Sequence, residues 1–343
     1  MSTGPDGPPL LEVRDLAVSF RTPHGLARAV DGVSFSVAAR EVVGVVGESG
    51  SGKTLSLMSV IGLINDPNVV VEGSIRYKGR ELLGLPQRAL RAVRGAEIAM
   101  IFQDPMTALT PVHTIGWQIA EQIRAHNRVS ARAARRRAVE LLAAVGIPNP
   151  SAAVDRYPHQ LSGGMRQRAV IAMALSCNPS LLIADEPTTA LDVTVQAQIL
   201  ELVEALRRDF GSSVVLITHD MGVVAEVADR VIVMYAGRIV EHGTKRDLFK
   251  DAWHPYTWGL FGSIPPLEGP RPRRLSSIPG TPPSLLELPP GCAFAPRCRF
   301  RFARCAERPP LSGAGGHEAA CFLPPENRAA LRAAASTPLQ EAS

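Results

Sequence analysis

Two stretches of the sequence decide the fold: Leu161-Ser-Gly-Gly-Met-Arg-Gln-Arg168 and, 13 residues further on, Leu181-Leu-Ile-Ala-Asp-Glu-Pro187. In the first, Ser-Gly-Gly predicts a turn that opens a helix. The second predicts a buried strand that ends in two acids. A glycine-rich phosphate loop alone would indicate only that a nucleotide binds. The sequence also contains such a loop, at 47–54, and the two stretches together with it restrict the fold to far fewer classes of nucleotide-binding protein.

The composition is typical of a packed globular protein. Its 343 residues are enough for one large core and a smaller appendage, and 45% of them are apolar. The net charge of +5 comes almost entirely from arginine, since only four residues are lysine. The basic run at 132–137 predicts the solvated face of a helix, with a nucleic-acid surface as the alternative.

Neither a secretory signal nor a membrane span is predicted. The first nine residues lack a basic region and an apolar stretch. The longest uncharged apolar tract, 169–184, is interrupted by Asn178-Pro179 and falls short of the ~20 apolar residues that a span needs. We therefore expect a cytosolic chain, whose membrane role must come through a partner.

Alternating strands and helices predict a doubly wound α/β sheet. Residues 41–46 are largely apolar, as expected of a central parallel strand that is covered on both faces. No internal repeat is present, which indicates a single unit rather than a tandem pair. Further strands are predicted at 11–20, 32–37, 180–184, 214–218 and 231–235. Helices are predicted from Thr54 onward and at 137–145, 166–175, 194–208 and 222–228.

The chain divides into four predicted regions. Residues 1–10 are a flexible N-terminus, and residues 11–251 form the main α/β domain, with a helical subdomain at about 105–178. The composition then changes, because residues 265–310 are dense in proline and arginine and have little helical or strand periodicity. We therefore assign 252–324 to a small C-terminal domain with four cysteines, and 325–343 to an alanine-rich tail that frays.

A phosphate loop is predicted at Gly47-Glu-Ser-Gly-Ser-Gly-Lys-Thr54, which fits the pattern G-x-x-x-x-G-K-[ST] between an apolar strand and a helix. The glycines let the backbone turn its N–H groups toward the phosphates, and the helix N-terminus adds its positive dipole end. Lys53 supplies a mobile cation and Thr54 a hydroxyl ligand for Mg²⁺. A chance match in a glycine-rich turn is the alternative. The predicted nucleotide-binding residues are Gly47, Ser49, Gly50, Ser51, Gly52, Lys53 and Thr54.

Two acids and a histidine follow predicted strands. Asp185 and Glu186 emerge at the carboxyl end of the strand at 180–184, where α/β sheets bind ligands. Asp185 is predicted to hold Mg²⁺ through water, and Glu186 to accept a proton from the attacking water. A solvated Asp-Glu turn is the alternative. His219 follows the strand at 214–218 and is predicted to hold the γ-phosphate and the position of Glu186, with a structural histidine as the alternative.

With these residues, the sequence from 11 to about 250 resembles the ATP-binding cassette (ABC) proteins. The resemblance implies the P-loop NTPase fold of that family, a RecA-like core with an antiparallel β subdomain and a helical subdomain. It also implies that ATP is held between two subunits and that its hydrolysis drives a mechanical change. Further residues match motifs of the family: Gln103, Ser162, Gly163, Gly164 and Asp192.

The resemblance assigns a role to each of these matches. Gln103 corresponds to the glutamine that touches Mg²⁺ and water and senses a transmembrane partner. The Ser-Gly-Gly at 162–164 corresponds to the signature that binds the γ-phosphate held by the other subunit. Asp192 corresponds to the loop that links the two sites across the dimer.

The sequence departs from the family at two points. Met165 stands where the widespread family form has glutamine. The adenine-stacking aromatic has no clear counterpart, because Thr22 falls at its position and Phe20 is the nearest ring. Adenine stacking is therefore left open.

The C-terminal part resembles the corresponding segment of peptide/nickel-type importer ATPases. Those importers use two ATPase subunits, D and F, and Met165 after the signature glycines resembles the D type. The matching stretches are His254-Pro-Tyr-Thr257, Ile264-Pro265, Ile278-Pro-Gly280 and Pro289-Pro-Gly-Cys-Ala-Phe-Ala-Pro-Arg-Cys298.

This resemblance implies an ATPase that energises import of short peptides from a peripheral position on the cytoplasmic face of the inner membrane. The implied partners are two transmembrane permease subunits, a second F-type ATPase or a second copy of the chain, and an extracytoplasmic solute-binding protein, without nucleic acid. Nickel or another small solute is an alternative cargo. A soluble ABC ATPase that acts on nucleic acid or ribosomes is the rival class. A regulatory module without turnover is a third possibility, against which the intact Lys53 and Glu186 argue.

Four cysteines lie close together in the sequence: Cys292, Cys298, Cys305 and Cys321. In a cytosolic chain such a group indicates a metal or an iron–sulfur cluster before disulfides. The close C-x₂₋₄-C pairs usual for structural zinc are missing. The peptide-importer family carries a [4Fe–4S] cluster on matching cysteines, and the resemblance implies that cofactor. Zinc and reduced structural thiols are the alternatives. Cys177 is predicted to be a buried small apolar side chain.

Overall fold

The computed structural model describes residues 7–23, 25–187, 196, 207, 211–262 and 278–336. Its chain divides into two compact units. Unit 1 comprises Met1–Ser36, Val43–Gly79 and Thr218–Ser343, and unit 2 comprises Val37–Val42 and Arg80–Ile217. The helix predicted at 194–208 falls almost entirely outside the described residues, and Asp192 lies outside them as well.

The secondary structure follows the chain in this order. The strands are β1 (Leu11–Thr22), β2 (Gly25–Val37), β3 (Val42–Val46), β4 (Val69–Tyr77), β5 (Arg80–Glu81), β6 (Ile98–Ile101), β7 (Leu181–Asp185), β8 (Ser213–Ile217), β9 (Arg230–Tyr235), β10 (Arg238–Thr244), β11 (Ser312–Ala314) and β12 (His317–Ala319). The α-helices are α1 (Lys53–Val60), α2 (Gln87–Val93), α3 (Pro105–Ala108), α4 (Ile115–His126), α5 (Ala131–Ala144), α6 (Pro150–Ala153), α7 (Gly163–Ala174), α8 (Met221–Val227), α9 (Lys245–Asp251), α10 (Pro255–Gly262) and α11 (Pro325–Ser336). Short 3₁₀ turns occupy Pro158–Gln160 and Ala303–Ala306.

Unit 1 contains two groups of strands. In the first, β1 lies between β2 and β4 and is antiparallel to β4, with Leu11 opposite Tyr77. In the second, the order is β11-β12-β10-β9-β3. β3 and β9 are parallel, whereas the pairs β9–β10, β10–β12 and β11–β12 are antiparallel. β3 is buried along its whole length, as expected of a parallel strand that is covered on both faces.

Aromatic rings join the C-terminal segment, meaning the described residues 252–262 and 278–324, to the end of β9. The rings of Tyr235 and Tyr256 lie 4.6 Å apart, and Phe294 meets the ring of Tyr235 edge-on at 5.3 Å. All three side chains are buried in one apolar cluster with Val46, the last residue of β3. Packing of this cluster therefore fixes the C-terminal segment close to the point where β3 ends.

Unit 2 contains the parallel strands β8, β7 and β6 in that order, and the helices from α2 to α7. β7 and β8 are buried at every residue. Helices α4, α5 and α7 each begin after a side chain that accepts a backbone N–H, which satisfies a donor that the helix start leaves open. These capping residues are Thr114, Ser130 and Ser162.

The structure confirms the predicted alternation of strands and helices but corrects its detail. The sheets are mixed, in agreement with the antiparallel β subdomain expected beside the core. Strand β10 was not predicted, and it forms a hairpin with β9 through Ala236 and Gly237, both with positive φ. This is the backbone of a tight hairpin turn, which Ala-Gly signals only weakly. β2 begins at Gly25 rather than at residue 32.

Two further predictions are wrong. The tail predicted to fray at 325–343 is helical over Pro325–Ser336 (α11), because alanine favours the helix and Leu331 packs against a cluster that contains Trp258, while 337–343 lie outside the described residues. Cys177 is only half-buried, since it lies beside polar groups: its Sγ is 3.7 Å from both Asn127 Nδ2 and the Gln122 carbonyl oxygen.

The prediction for the basic run at 132–137 is confirmed, because it lies on α5 with most of its arginines exposed. In the part of the chain that the structure describes, the helices are all too short or too polar to cross a membrane.

Candidate functional site

The phosphate-loop sequence forms a turn between β3 and α1 in which glycine is required at two positions. Gly47 has φ 149°, and a Cβ there would lie 2.2 Å from the carbonyl oxygen of Met234. Gly52 has φ 96°, and its Cβ would lie 2.7 Å from the carbonyl oxygen of Ala29. Both are impossible contacts, so any other residue would displace the loop.

Lys53 places its ammonium group inside this loop. The residue is 6% exposed, and its Nζ donates to the carbonyl oxygens of Gly47 at 2.7 Å and Glu48 at 2.9 Å. A third bond reaches Ser51 Oγ at 3.3 Å. The positive charge is thus held at the start of α1, whose first backbone N–H groups also favour an anion. Ser49 and Gly50 are exposed on the loop, and Thr54 is exposed on the first turn of α1.

Glu48, within the same loop, is held by the C-terminal segment. Its backbone N–H donates to the hydroxyl of Tyr256 at 2.8 Å. Its carboxylate accepts two hydrogen bonds from Arg297, at 2.5 Å and 2.9 Å. The hydrogen bond to Glu48 raises the pKa of Arg297, so the guanidinium stays charged. These contacts join residues 208 and 249 positions apart, and no sequence pattern relates them, so they could not be predicted from the sequence.

The two acids occupy the end of β7 in unit 2. Asp185 is buried and Glu186 half-buried. Glu186 has φ 46°, a left-handed backbone that is unfavourable for a residue with a side chain. Its N–H donates to the carbonyl oxygen of Ile217, and its Oε2 accepts a 3.1 Å hydrogen bond from Gln103 Nε2. The structure therefore brings together two of the predicted catalytic residues.

The Ser-Gly-Gly turn lies at the start of α7, also in unit 2. Ser162 is exposed, and its Oγ accepts the N–H of Met165 at 3.4 Å. Gly163 is exposed as well, and a Cβ there would meet no other atom within 4 Å. Gly164 follows it in the first turn. This helix start is accessible to a ligand, with small residues that permit close approach.

His219 lies in unit 1 and is exposed just beyond β8. The next residue, Asp220, caps α8 by accepting the N–H groups of Gly222 and Val223. His219 thus lies in a turn between a strand and a helix.

The four clustered cysteines line one cavity in unit 1, together with the rings of Phe294, Phe300 and Phe322. Burial raises the pKa of Cys292, that of Cys298 to about 11 and that of Cys321 to about 12. Backbone N–H groups two residues further on donate to these three sulfurs. Among the described residues, no three His, Cys, Asp or Glu side chains are placed to bind a single metal ion.

Together, a phosphate loop, a Ser-Gly-Gly helix start and a strand that ends in two acids define a P-loop nucleotide-binding protein of the ATP-binding cassette class. The ABC transporter family matches residues 30–189, and the family described as "Oligopeptide/dipeptide transporter, C-terminal region" matches residues 240–305. The chain belongs to the ATP-binding proteins of peptide ABC transporters.

Individual relatives agree with this assignment. The chain is 51% identical over 325 residues to the "Probable peptide ABC transporter ATP-binding protein" of Sinorhizobium fredii, covering 94% of this chain and 97% of the relative. It is 54% identical over 292 residues to the "Oligopeptide transport ATP-binding protein OppD" of Bacillus subtilis, covering 85% of this chain and 82% of the relative. The protein of that name from Mycobacterium tuberculosis is 55% identical over 317 residues, which are 92% of this chain. The chain spans about half, 52%, of that longer relative.

The fold is similar to that of solved cassettes. One is the dimeric, post-hydrolysis ATP-binding cassette MJ0796 bound to ADP and Pi, with a TM-score of 0.62 and 28% identity over 69% of this chain and 99% of that one.

Proposed function

We propose that the chain binds and hydrolyses ATP as the ATP-binding subunit of a membrane transporter that imports short peptides. The observation that carries this proposal is the phosphate loop built around Lys53, in a chain that matches the peptide-transport ATP-binding protein of Sinorhizobium fredii over 97% of that protein's length. The names of those relatives speak of peptide or oligopeptide transport, and nothing in the site favours nickel instead.

The residues of each unit suit defined parts of the reaction. In unit 1, Lys53 and the N–H groups of its loop bind phosphate oxygens. In unit 2, Glu186 accepts the proton of the attacking water, while the 3.1 Å hydrogen bond from Gln103 orients its carboxylate. In this proposal His219, which is exposed just beyond β8, holds the γ-phosphate.

Magnesium is the metal proposed to accompany ATP. The family positions of its ligands are Thr54, Gln103 and Asp185, whose side-chain oxygens are the ligand type that Mg²⁺ prefers. When bound, Mg²⁺ neutralises part of the phosphate charge.

A second cassette is needed in this scheme. The exposed start of α7 is suited to the γ-phosphate of ATP on a second subunit, either another copy or an F-type ATPase, and Asp192 is the family's link between the two sites. The remaining proposed partners are two permease subunits, which place the chain peripherally at the cytoplasmic face of the inner membrane, and an extracytoplasmic solute-binding protein. Nucleic acid is a poor partner for α5, since Arg135 is paired with Asp155 and Arg137 with Glu140.

We also propose that residues 252–324 act as an accessory region that holds a [4Fe–4S] cluster on Cys292, Cys298, Cys305 and Cys321. Two observations support the cluster. All four cysteines line one cavity, and backbone N–H groups donate to three of the sulfurs. A bound cluster would add stability to a proline-rich segment with little regular structure.

The transport proposal is tested in proteoliposomes that contain the chain, the second ATPase, the two permeases and the solute-binding protein. ATP-dependent uptake of a labelled tripeptide is expected, and Lys53→Ala should abolish both uptake and ATP binding. If the purified chain alone hydrolyses ATP rapidly and binds DNA or ribosomes tightly, the transport proposal is wrong.

The cluster proposal is tested by anaerobic purification of the full chain. Brown protein with about four iron atoms per chain is expected. Cys298→Ser should lose the iron and make the C-terminal segment sensitive to protease. Cys177→Ser is the matched control and should keep both iron and protease resistance. Colourless protein with one tightly bound zinc would overturn the cluster.

A further inference from the structure

Glu48 is fixed within the phosphate loop from three sides. Tyr256 accepts its N–H, Arg297 holds its carboxylate, and its carbonyl oxygen accepts a hydrogen bond from Lys53 Nζ. The first two contacts come from residues 208 and 249 positions further along the chain. A single residue of the loop thus connects the C-terminal segment to the lysine of the phosphate loop.

Arg297 is itself held rigidly, so it can impose a position on Glu48. Its side chain is 5% exposed. Its Nε donates to the carbonyl oxygen of Pro279 at 2.8 Å, and its Nη1 lies 3.3 Å from the Tyr235 hydroxyl. Its backbone N–H donates to Phe294, in the turn that runs from Cys292 to Cys298. A guanidinium with its donors engaged in this way keeps one orientation.

The charge of Glu48 gives this contact a consequence for ligand binding. A carboxylate in a loop that binds phosphate groups repels them unless a cation neutralises it. Arg297 supplies that cation in a largely buried pair, where charges interact more strongly than at an open surface. Loss of Arg297 would leave a negative charge beside the phosphate-binding backbone.

We propose that Arg297 and Tyr256 are positioning residues for ATP: from the C-terminal segment, they hold and neutralise Glu48 so that the phosphate loop accepts the nucleotide. This inference rests on the proposed function, because it requires that the loop binds ATP. It assigns to the C-terminal segment a direct part in nucleotide affinity.

The test measures the dissociation constant of Mg-ATP for the full chain by displacement of a fluorescent ATP analogue. Arg297→Met is expected to weaken ATP binding about tenfold. Glu48→Gln should restore most of that loss in the double variant, because the unpaired charge is then gone. A role of Arg297 in folding alone would lower the free energy of unfolding of the folded variants and leave their affinity for ATP unchanged. Tyr256→Phe keeps the ring and should weaken binding about threefold.

Two further variants complete the experiment. Arg301→Gln removes an exposed arginine from the same segment and should leave the affinity unchanged. Lys53→Ala should remove binding altogether; if it does not, the proposed nucleotide site itself is wrong.

If Lys53→Ala abolishes binding but Arg297→Met and Tyr256→Phe bind ATP as the unaltered chain does, the inference is overturned. An Arg297→Met loss that Glu48→Gln does not rescue overturns the neutralising role. If Arg297→Met does not fold, Tyr256→Phe decides: normal affinity in that variant overturns the inference.

Discussion

The phosphate loop and the Ser-Gly-Gly turn are both short, glycine-containing starts of helices, but they are stabilised differently. The phosphate loop fits against the carbonyl oxygens of Ala29 and Met234 and is held by Tyr256 and Arg297, all distant in sequence. The hydrogen bonds around the Ser-Gly-Gly turn come from nearby residues, and only further along α7 do Gln167 and Arg168 donate to the more distant carbonyl oxygens of Pro187 and Val145. Gln160 accepts the N–H of Tyr157, and Arg166 donates to the carbonyl oxygen of Pro158 at 2.8 Å.

This difference shows that the geometry of two similar helix starts can depend on different parts of the chain. A turn held by its neighbours forms its geometry wherever the helix forms. A loop held by distant segments depends on the folding of those segments, and changes far away alter it. The C-terminal segment is thus part of the phosphate loop's support and not only an appendage.

The largest expected effect comes from a substitution that blocks ATP hydrolysis and alters neither helix start. It therefore serves as the reference for the other predictions. Glu186→Gln should lower ATP turnover by about 10²–10⁴ without weakening ATP binding, because it removes only the proton acceptor. The amide oxygen can still accept the hydrogen bond from Gln103. Glu140→Gln, on the exposed side of α5, is the control and should keep normal turnover. Near-normal turnover in Glu186→Gln would remove Glu186 from the role of base.

The next prediction concerns His254, which contacts the Tyr256 that supports the phosphate loop. It describes how the stability of the chain depends on pH. His254 is fully buried, and its Nδ1 accepts the N–H of Tyr256 at 3.0 Å. Burial lowers its pKa from 6.5 to about 4, opposed by the nearby charge of Glu241 and aided by Arg328. The folded chain therefore holds His254 neutral, whereas the unfolded chain protonates it below about pH 6.5. The stabilising contribution is complete above that pH and is lost as the pH falls toward 4.

Between pH 7 and pH 5 the free energy of unfolding should fall by about 2 kcal/mol through this histidine. Denaturant unfolding at both pH values measures it. His254→Asn keeps an acceptor near the Tyr256 N–H and cannot titrate, so its unfolding should depend less on pH by that amount. His159→Asn, an exposed histidine in unit 2, should keep the full dependence. An unchanged dependence in His254→Asn would contradict this account.

The contrast between local and distant support also explains which features could be predicted from the sequence. β3 and β7 were predicted because buried parallel strands are continuous apolar runs. The phosphate loop and the Ser-Gly-Gly turn were found because their motifs are local. The pair of Gln103 and Glu186 could be expected from family motifs alone.

The missed features share a different property. The contact of Arg297 with Glu48 joins residues 249 positions apart, and no spacing or periodicity encodes it. The hairpin at Ala236 and Gly237 has a weak turn signal, since alanine at positive φ is unusual. Helix α11 was missed because its stability includes packing on Trp258, which the tail sequence does not reveal.

The smallest expected effect tests the locally held turn with a matched pair of helix caps. Ser162 Oγ accepts the N–H of Met165 at the start of α7, and Ser130 Oγ accepts the N–H of Ala133 at the start of α5. In both cases the serine accepts the N–H three residues further along the chain, which is the same capping bond. Ser162→Ala and Ser130→Ala should therefore each cost about 1 kcal/mol of stability. In the proposed function Ser162 alone also contacts the γ-phosphate. ATPase activity of the assembled transporter should therefore fall about tenfold in Ser162→Ala and stay normal in Ser130→Ala. Equal activities in the two variants, with equal losses of stability, would reduce Ser162 to a helix cap.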